Sequence, residues 1–247
     1  LERFILASNK DISMKHSQKY GSTIFILCSL LGLTGCNQLF DWGRKHLEQP
    51  EEQQKNCKQL SAQFLRHKKV YEQFTSLADF TALLLSDSVR LAYLDYYAYR
   101  NFKDDQEIQA ARARFLAENN HFISFYLSAW QRPTEYMSEY TLFTGERHTL
   151  GAIIGTPDAE WQLNMIVDGK EYEPESIMPI EIPLEYRVFF GAHLSQFKTK
   201  YLVRFAAKDI QNNPLLDQNL HDVELIFRRL HQQIRLSWID VQYKLSE

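Results

Sequence analysis

Three cysteines and nine glycines in 247 residues, with a net charge of only −3, remove several chemistries before any motif is sought. Cys28, Cys36 and Cys57 are too few for a disulfide framework. Glycine is too sparse for a phosphate cradle, and the segment Gly151-Ala152-Ile153-Ile154-Gly155 lacks the lysine that would meet a phosphate. No basic stripe favours a nucleic-acid partner. There is no Gly-x-Ser-x-Gly elbow for a hydrolase nucleophile. The histidines are scattered, with no His-Glu-x-x-His and no paired cysteines, so no zinc pattern exists. Asp168-Gly169-Lys170-Glu171 lacks the alternating acidic set of a calcium loop. No metal or cofactor is expected.

No apolar run reaches the about 18 residues of a membrane-spanning helix. The longest, Ile24 to Leu33, is short and follows Lys15 and Lys19, and no charge occurs from Gly21 to Gly35. A basic region, an apolar core and a small-residue exit form the layout of a secretory signal. Met14 stands just ahead of the basic region, so translation is expected to begin there, with Leu1 to Ile12 an over-extended frame.

The exit Leu33-Thr34-Gly35-Cys36 resembles the bacterial lipoprotein lipobox: an apolar residue, a small residue, Gly or Ala, then Cys. The resemblance covers only the signal region, and the rest of the chain resembles no characterised family. It implies cleavage between Gly35 and Cys36, a diacylglyceryl thioether on Cys36 and acylation of the new amino terminus. Two or more acyl chains, each methylene contributing about 0.8 kcal/mol, anchor a protein stably where one would be marginal. Asn37, in place of the Asp that favours inner-membrane retention, implies outer-membrane delivery. The expected partner is therefore the membrane, together with another envelope protein or a glycan.

Residues 36–247 number 212, enough for one large domain or two small ones. With four basic and two acidic residues removed, 24 basic side chains stand against 29 acidic, a balance of −5. Cys57 then has no partner in its own chain, so packing must supply stability, and the 13% aromatic content provides large side chains for it.

Residues 36–50 read as a lipidated tether and 51–120 as a helical region. Leu60 and Phe64 recur at helical spacing, with Glu51 and Glu52 early and Arg66 to Lys69 late, which suits a helix dipole through Lys69. Phe74 to Leu85 is apolar and fits either a strand or a buried helix. Ser86 or Asp87 caps a helix over Val89 to Arg100, and Asp104 with Glu107 has capping-box spacing for a further helix ending at Asn119-Asn120.

From His121 the apolar period falls from about 3.6 to 2. Ile123, Phe125, Leu127 and Ala129 alternate with polar neighbours, and Leu163, Met165 and Val167 lead into the hairpin signal Asp168-Gly169. Tyr186-Val188-Phe190 and Tyr201-Val203-Phe205 read as strands around a loop, Gly191 to Lys198. Val223-Leu225-Phe227 and Ile234-Leu236-Trp238 form a closing hairpin. The expectation is an α+β fold: N-terminal helices packed on an antiparallel immunoglobulin-like or C2-like β-sandwich over 121–247.

Candidate surface residues are few. Tyr97 and Tyr99 belong to an aromatic series that could form a platform, although helical spacing favours packing of the helix on the sandwich. His148 lies in a polar segment with Glu146, and His193 and Phe197 lie in the loop after Phe190. The leading expectation is a non-catalytic, lipid-anchored accessory or binding module. The alternatives are a glycan hydrolase using two of Glu139, Glu146, Asp158 and Glu160, and a carrier with a roomy cavity between helices and sheet.

Overall fold

The computed structural model describes residues 49–72, 74–101, 103–132, 153–156 and 159–244. Gly35, Cys36, Glu139, Glu146, His148 and Asp158 lie outside the described residues. Pro50–Glu247 forms one compact unit. Among the described residues it is a mixed α+β fold with two antiparallel sheets and four helices: α1 (Gln49–Phe64), α2 (Asp87–Asn101), α3 (Asp105–His121) and α4 (Arg187–Phe190).

The larger sheet runs β1 (Leu65–Glu72), β2 (Thr75–Leu84), β3 (Phe122–Gln131), β7 (Thr199–Ala206), β6 (Ser176–Pro179). The smaller runs β5 (Lys170–Tyr172), β4 (Gln162–Val167), β8 (Leu220–Arg229), β9 (Gln232–Gln242). The core lies where their inner faces meet. Phe80 of β2 stacks on Phe227 of β8 with ring centroids 4.3 Å apart, and Phe125 of β3 meets Trp238 of β9 at 5.3 Å. At one edge Arg66 Nε of β1 donates to Ser237 O at 2.7 Å and Trp238 Nε1 donates to the carbonyl of Phe64, the last residue of α1, at 2.7 Å, so β9 is tied to the junction of α1 and β1.

Local capping accounts for the starts of α2 and α3. Asp104 accepts a 2.7 Å hydrogen bond from the Glu107 backbone, starting α3 where the capping spacing placed it. Ser86 Oγ accepts from the Val89 backbone at 3.4 Å at the start of α2. Helix α3 continues two residues past Asn119, to His121.

Two readings are corrected. The region 51–120 also supplies β1 and β2, because α1 stops at Phe64 and Leu65 begins pairing with Leu83. Arg66 to Lys69 therefore belong to a strand rather than a helix end, and their charge suits the exposed edge of a sheet. Tyr186-Val188-Phe190 is not a strand: Leu184–Tyr186 is a 3-10 turn leading into α4. The buried set is Tyr186, Phe189 and Phe190, an i, i+3, i+4 pattern that follows Pro183.

Candidate functional site

The segment Leu184–His193 lies over the outer face of the larger sheet, the face turned away from the smaller sheet, and α2 packs on that segment. Tyr186 meets Tyr126 of β3 edge-on at 4.8 Å, and Tyr93 of α2 stacks on Tyr186 at 3.9 Å. Burial raises the Tyr93 phenol to about 12, helped by Glu185. Helix α1 is fastened to the same segment by Ser61 Oγ, which donates to Phe189 O at 2.6 Å.

Cross-strand register sets His67, Thr81, Ser128 and Lys200 in one row of this outer face, and Lys69, Asp79 and Trp130 in the next. Residues directly opposite in a ladder share a face. Asp79, with a side chain only 8% exposed, is the hub. Its Oδ1 lies 2.7 Å from Lys198 Nζ and 3.0 Å from His67 Nε2, and its Oδ2 lies 3.9 Å from Lys69 Nζ. The His193 ring rests against His67 with centroids 4.3 Å apart. Burial lowers the His193 pKa, and His67 and Lys198 lower it further.

One carboxylate thus holds two lysines and a histidine, with a second histidine against the first. Among the described residues Thr81 Oγ1 and Ser128 Oγ are buried with no hydrogen-bond partner, so neither is joined to His67 as a triad nucleophile would be. Among the described residues no three His, Cys or carboxylate groups converge to hold a metal. What the cluster does chemically is bind a loop to a sheet face through charge-assisted hydrogen bonds.

A second buried network lies between α2, α3 and β7. Glu118 accepts from Arg90 Nη1 at 3.2 Å and from Arg204 Nη2 at 2.7 Å, and Asn119 Nδ2 donates to Asp87 Oδ1 at 2.8 Å. Burial pulls the Glu118 pKa up, but the two guanidinium groups outweigh it and hold the carboxyl below its usual range. No sequence spacing points to this network, because its members lie far apart in the chain.

The expected surface residues scatter. His193 enters the Asp79 cluster, and Phe197, 77% exposed, precedes Lys198. Tyr97 and Tyr99 are half-buried, and Tyr97 stacks on Tyr93 at 5.8 Å. Tyr97 also lines a groove of about 500 Å³ between α2 and α3, with Leu94, Ile108, Ala111, Lys103 and Arg114. Glu160 is held by Arg229 at 3.0 Å. Among the described residues no helix is long and apolar enough to cross a membrane. Compared with known proteins, the chain matches no family model, no curated protein and no solved structure.

Proposed function

We propose that this chain is a lipid-anchored bacterial envelope protein, directed to the outer membrane, whose two sheets form an immunoglobulin-like or C2-like sandwich serving as a non-catalytic accessory or binding module. The observation that carries the reading is Leu33-Thr34-Gly35-Cys36 closing an uncharged apolar run behind Lys15 and Lys19. The buried Cys57 thiol supports it, since a shielded thiol leaves Cys36 as the cysteine available for acylation after signal removal. Cross-linking and purification from native membranes test it. A stoichiometric envelope protein or glycan recovered with the intact chain and lost with Cys36→Ala agrees with the reading; recovery of the intact chain in the soluble fraction contradicts it.

One observation favours a carrier as second reading. Leu94, Tyr97, Ile108 and Ala111 give the groove between α2 and α3 an apolar floor, and Lys103 and Arg114 add cationic groups. A ligand with an apolar body and an anionic head fits that chemistry. Binding of a fluorescent fatty acid, lost with Ala111→Glu, supports it, and absence of binding removes it.

A further inference from the structure

Two hairpins at one end of the domain break the turn chemistry that a third hairpin obeys. At the far end, β4 turns into β5 through Asp168 (φ 47°) and Gly169 (φ 81°), residues suited to the left-handed region. The β1–β2 turn instead puts Phe74 at φ 68°, and the β8–β9 turn puts Leu230 at φ 42°. A bulky residue in that region is a genuine outlier. Neither side chain gains packing in return, for Phe74 and Leu230 are 105% and 94% exposed. Glu72 and Leu77 from the first hairpin line one cleft with Arg229, Leu230 and His231 from the second, so the two tips belong to the same end. Tyr71, 63% exposed, and Phe197, two residues before β7, add aromatic surface there. Backbone strain held at two neighbouring tips, with no packing gained in return, is an outlier that points to a function for this end.

We infer that this end of the domain dips into a lipid bilayer, with Phe74 and Leu230 entering the apolar zone and Tyr71 lying at headgroup level. The inference rests on the lipid-anchor reading, which brings the chain to a membrane. Thirteen residues separate Cys36 from Pro50, and the fourteen steps between them span at most about 50 Å, ample beside the about 27 Å of an eight-residue strand. The local shape favours lipid over a folded partner. The clefts flanking Leu230, of about 220 and 620 Å³, are lined mainly by polar side chains, so among the described residues the apolar groups protrude singly. A bilayer accepts protruding side chains without a matching pocket. Arg132 and Arg229 beside them are paired, with Glu72 at 3.0 Å and Glu160 at 3.0 Å, and this pairing offsets part of the cost of bringing their charges toward the bilayer. Tyrosine suits the interface because its ring is apolar and its hydroxyl wet.

The test uses the full lipidated protein in vesicles of phosphatidylethanolamine and phosphatidylglycerol, with an environment-sensitive fluorophore attached to Leu230→Cys, Phe74→Cys or Ile210→Cys in separate preparations. Ile210 is 103% exposed and follows β7 at the opposite end, and buried Cys57 stays unlabelled. Immersion by about 5–10 Å gives the labels at positions 230 and 74 a blue shift, a several-fold loss of iodide quenching, and quenching by lipid-borne nitroxide, while the label at position 210 stays in water. Flotation of the protein with all three labels equally open to iodide overturns the inference and leaves the anchor standing. Failure to float, with Cys36 free of lipid, overturns the anchor reading and the inference with it. Protection of positions 230 and 74 in native envelopes but not in vesicles assigns the tips to a protein and overturns the lipid assignment.

Discussion

Lys198 Nζ stands 2.7 Å from Asp79 Oδ1, with side chains 10% and 8% exposed, and this pair fastens the loop ahead of β7 to the outer face of β2. The same oxygen takes His67 from β1, so three segments of the chain converge on one carboxylate.

Asp79→Ala leaves Lys198 without its counter-charge and His67 without its hydrogen-bond partner. Removing one partner of a buried pair costs about 3–5 kcal/mol, and urea unfolding reads it directly. The double variant Asp79→Leu with Lys198→Met recovers a large part of that loss, because both buried charges leave together. A loss within about 0.5 kcal/mol for Asp79→Ala, the usual effect of a surface change, contradicts the role given to the pair.

Two histidines impose opposite pH dependences. For His221, burial lowers the pKa, but hydrogen bonds to Asp168 at 2.9 Å and Asp217 at 2.8 Å outweigh it and the net shift is upward. Its contribution is complete below the unfolded value of about 6.5 and is lost as pH rises through the higher folded value. His193 is shifted down by burial, so its contribution is complete above that unfolded value and is lost as pH falls. Stability against pH for both His221→Gln and His193→Gln therefore converges with the parent on the alkaline side, where the imidazoles are neutral; on the acid side the parent rises above His221→Gln and falls below His193→Gln. Reversed or parallel differences contradict the assignments.

Leu230→Asn relieves the left-handed strain at the β8–β9 tip. The expected gain is about 1 kcal/mol, or roughly 2–4 °C in Tm for a domain of this size. A lower Tm by calorimetry shows that Leu230 contributes packing to the fold and is not held there at a cost.

Cys57 is fully buried and its Sγ lies 3.9 Å from Ala92 O. Burial, then the nearby Asp95, pushes its thiol up to about 11. With Cys28 and Cys36 replaced by serine, a maleimide labels the native chain only as it opens and the unfolded chain at once. Comparable rates in the two states contradict the burial.

The helices with capping signals and the strands with clean alternation were legible in the sequence: Asp104 opens α3, and Leu163, Met165 and Val167 of β4 run into Asp168-Gly169. Where tertiary pairing overrode local pattern, the reading failed. Leu65 to Glu72 looks like a basic helix end until β2 is available to pair with it. Tyr186, Phe189 and Phe190 carried a helical spacing behind Pro183, but the alternation of Tyr186, Val188 and Phe190 masked it. The Asp79 cluster was legible only in His193. Asp79 sits in an apolar run whose neighbours hide it, and Lys198 meets it from 119 residues away. The strained tips had no signal beyond the lack of Gly or Asn at Phe74 and Leu230, which becomes meaningful only when the turns are located.

The most direct test of membrane anchorage is the mass of the amino-terminal peptide of the protein isolated from its native envelope. The account predicts a chain beginning at Cys36 and carrying a diacylglyceryl thioether with an acylated α-amine. A chain that begins elsewhere, with Cys36 present as a free thiol, contradicts it.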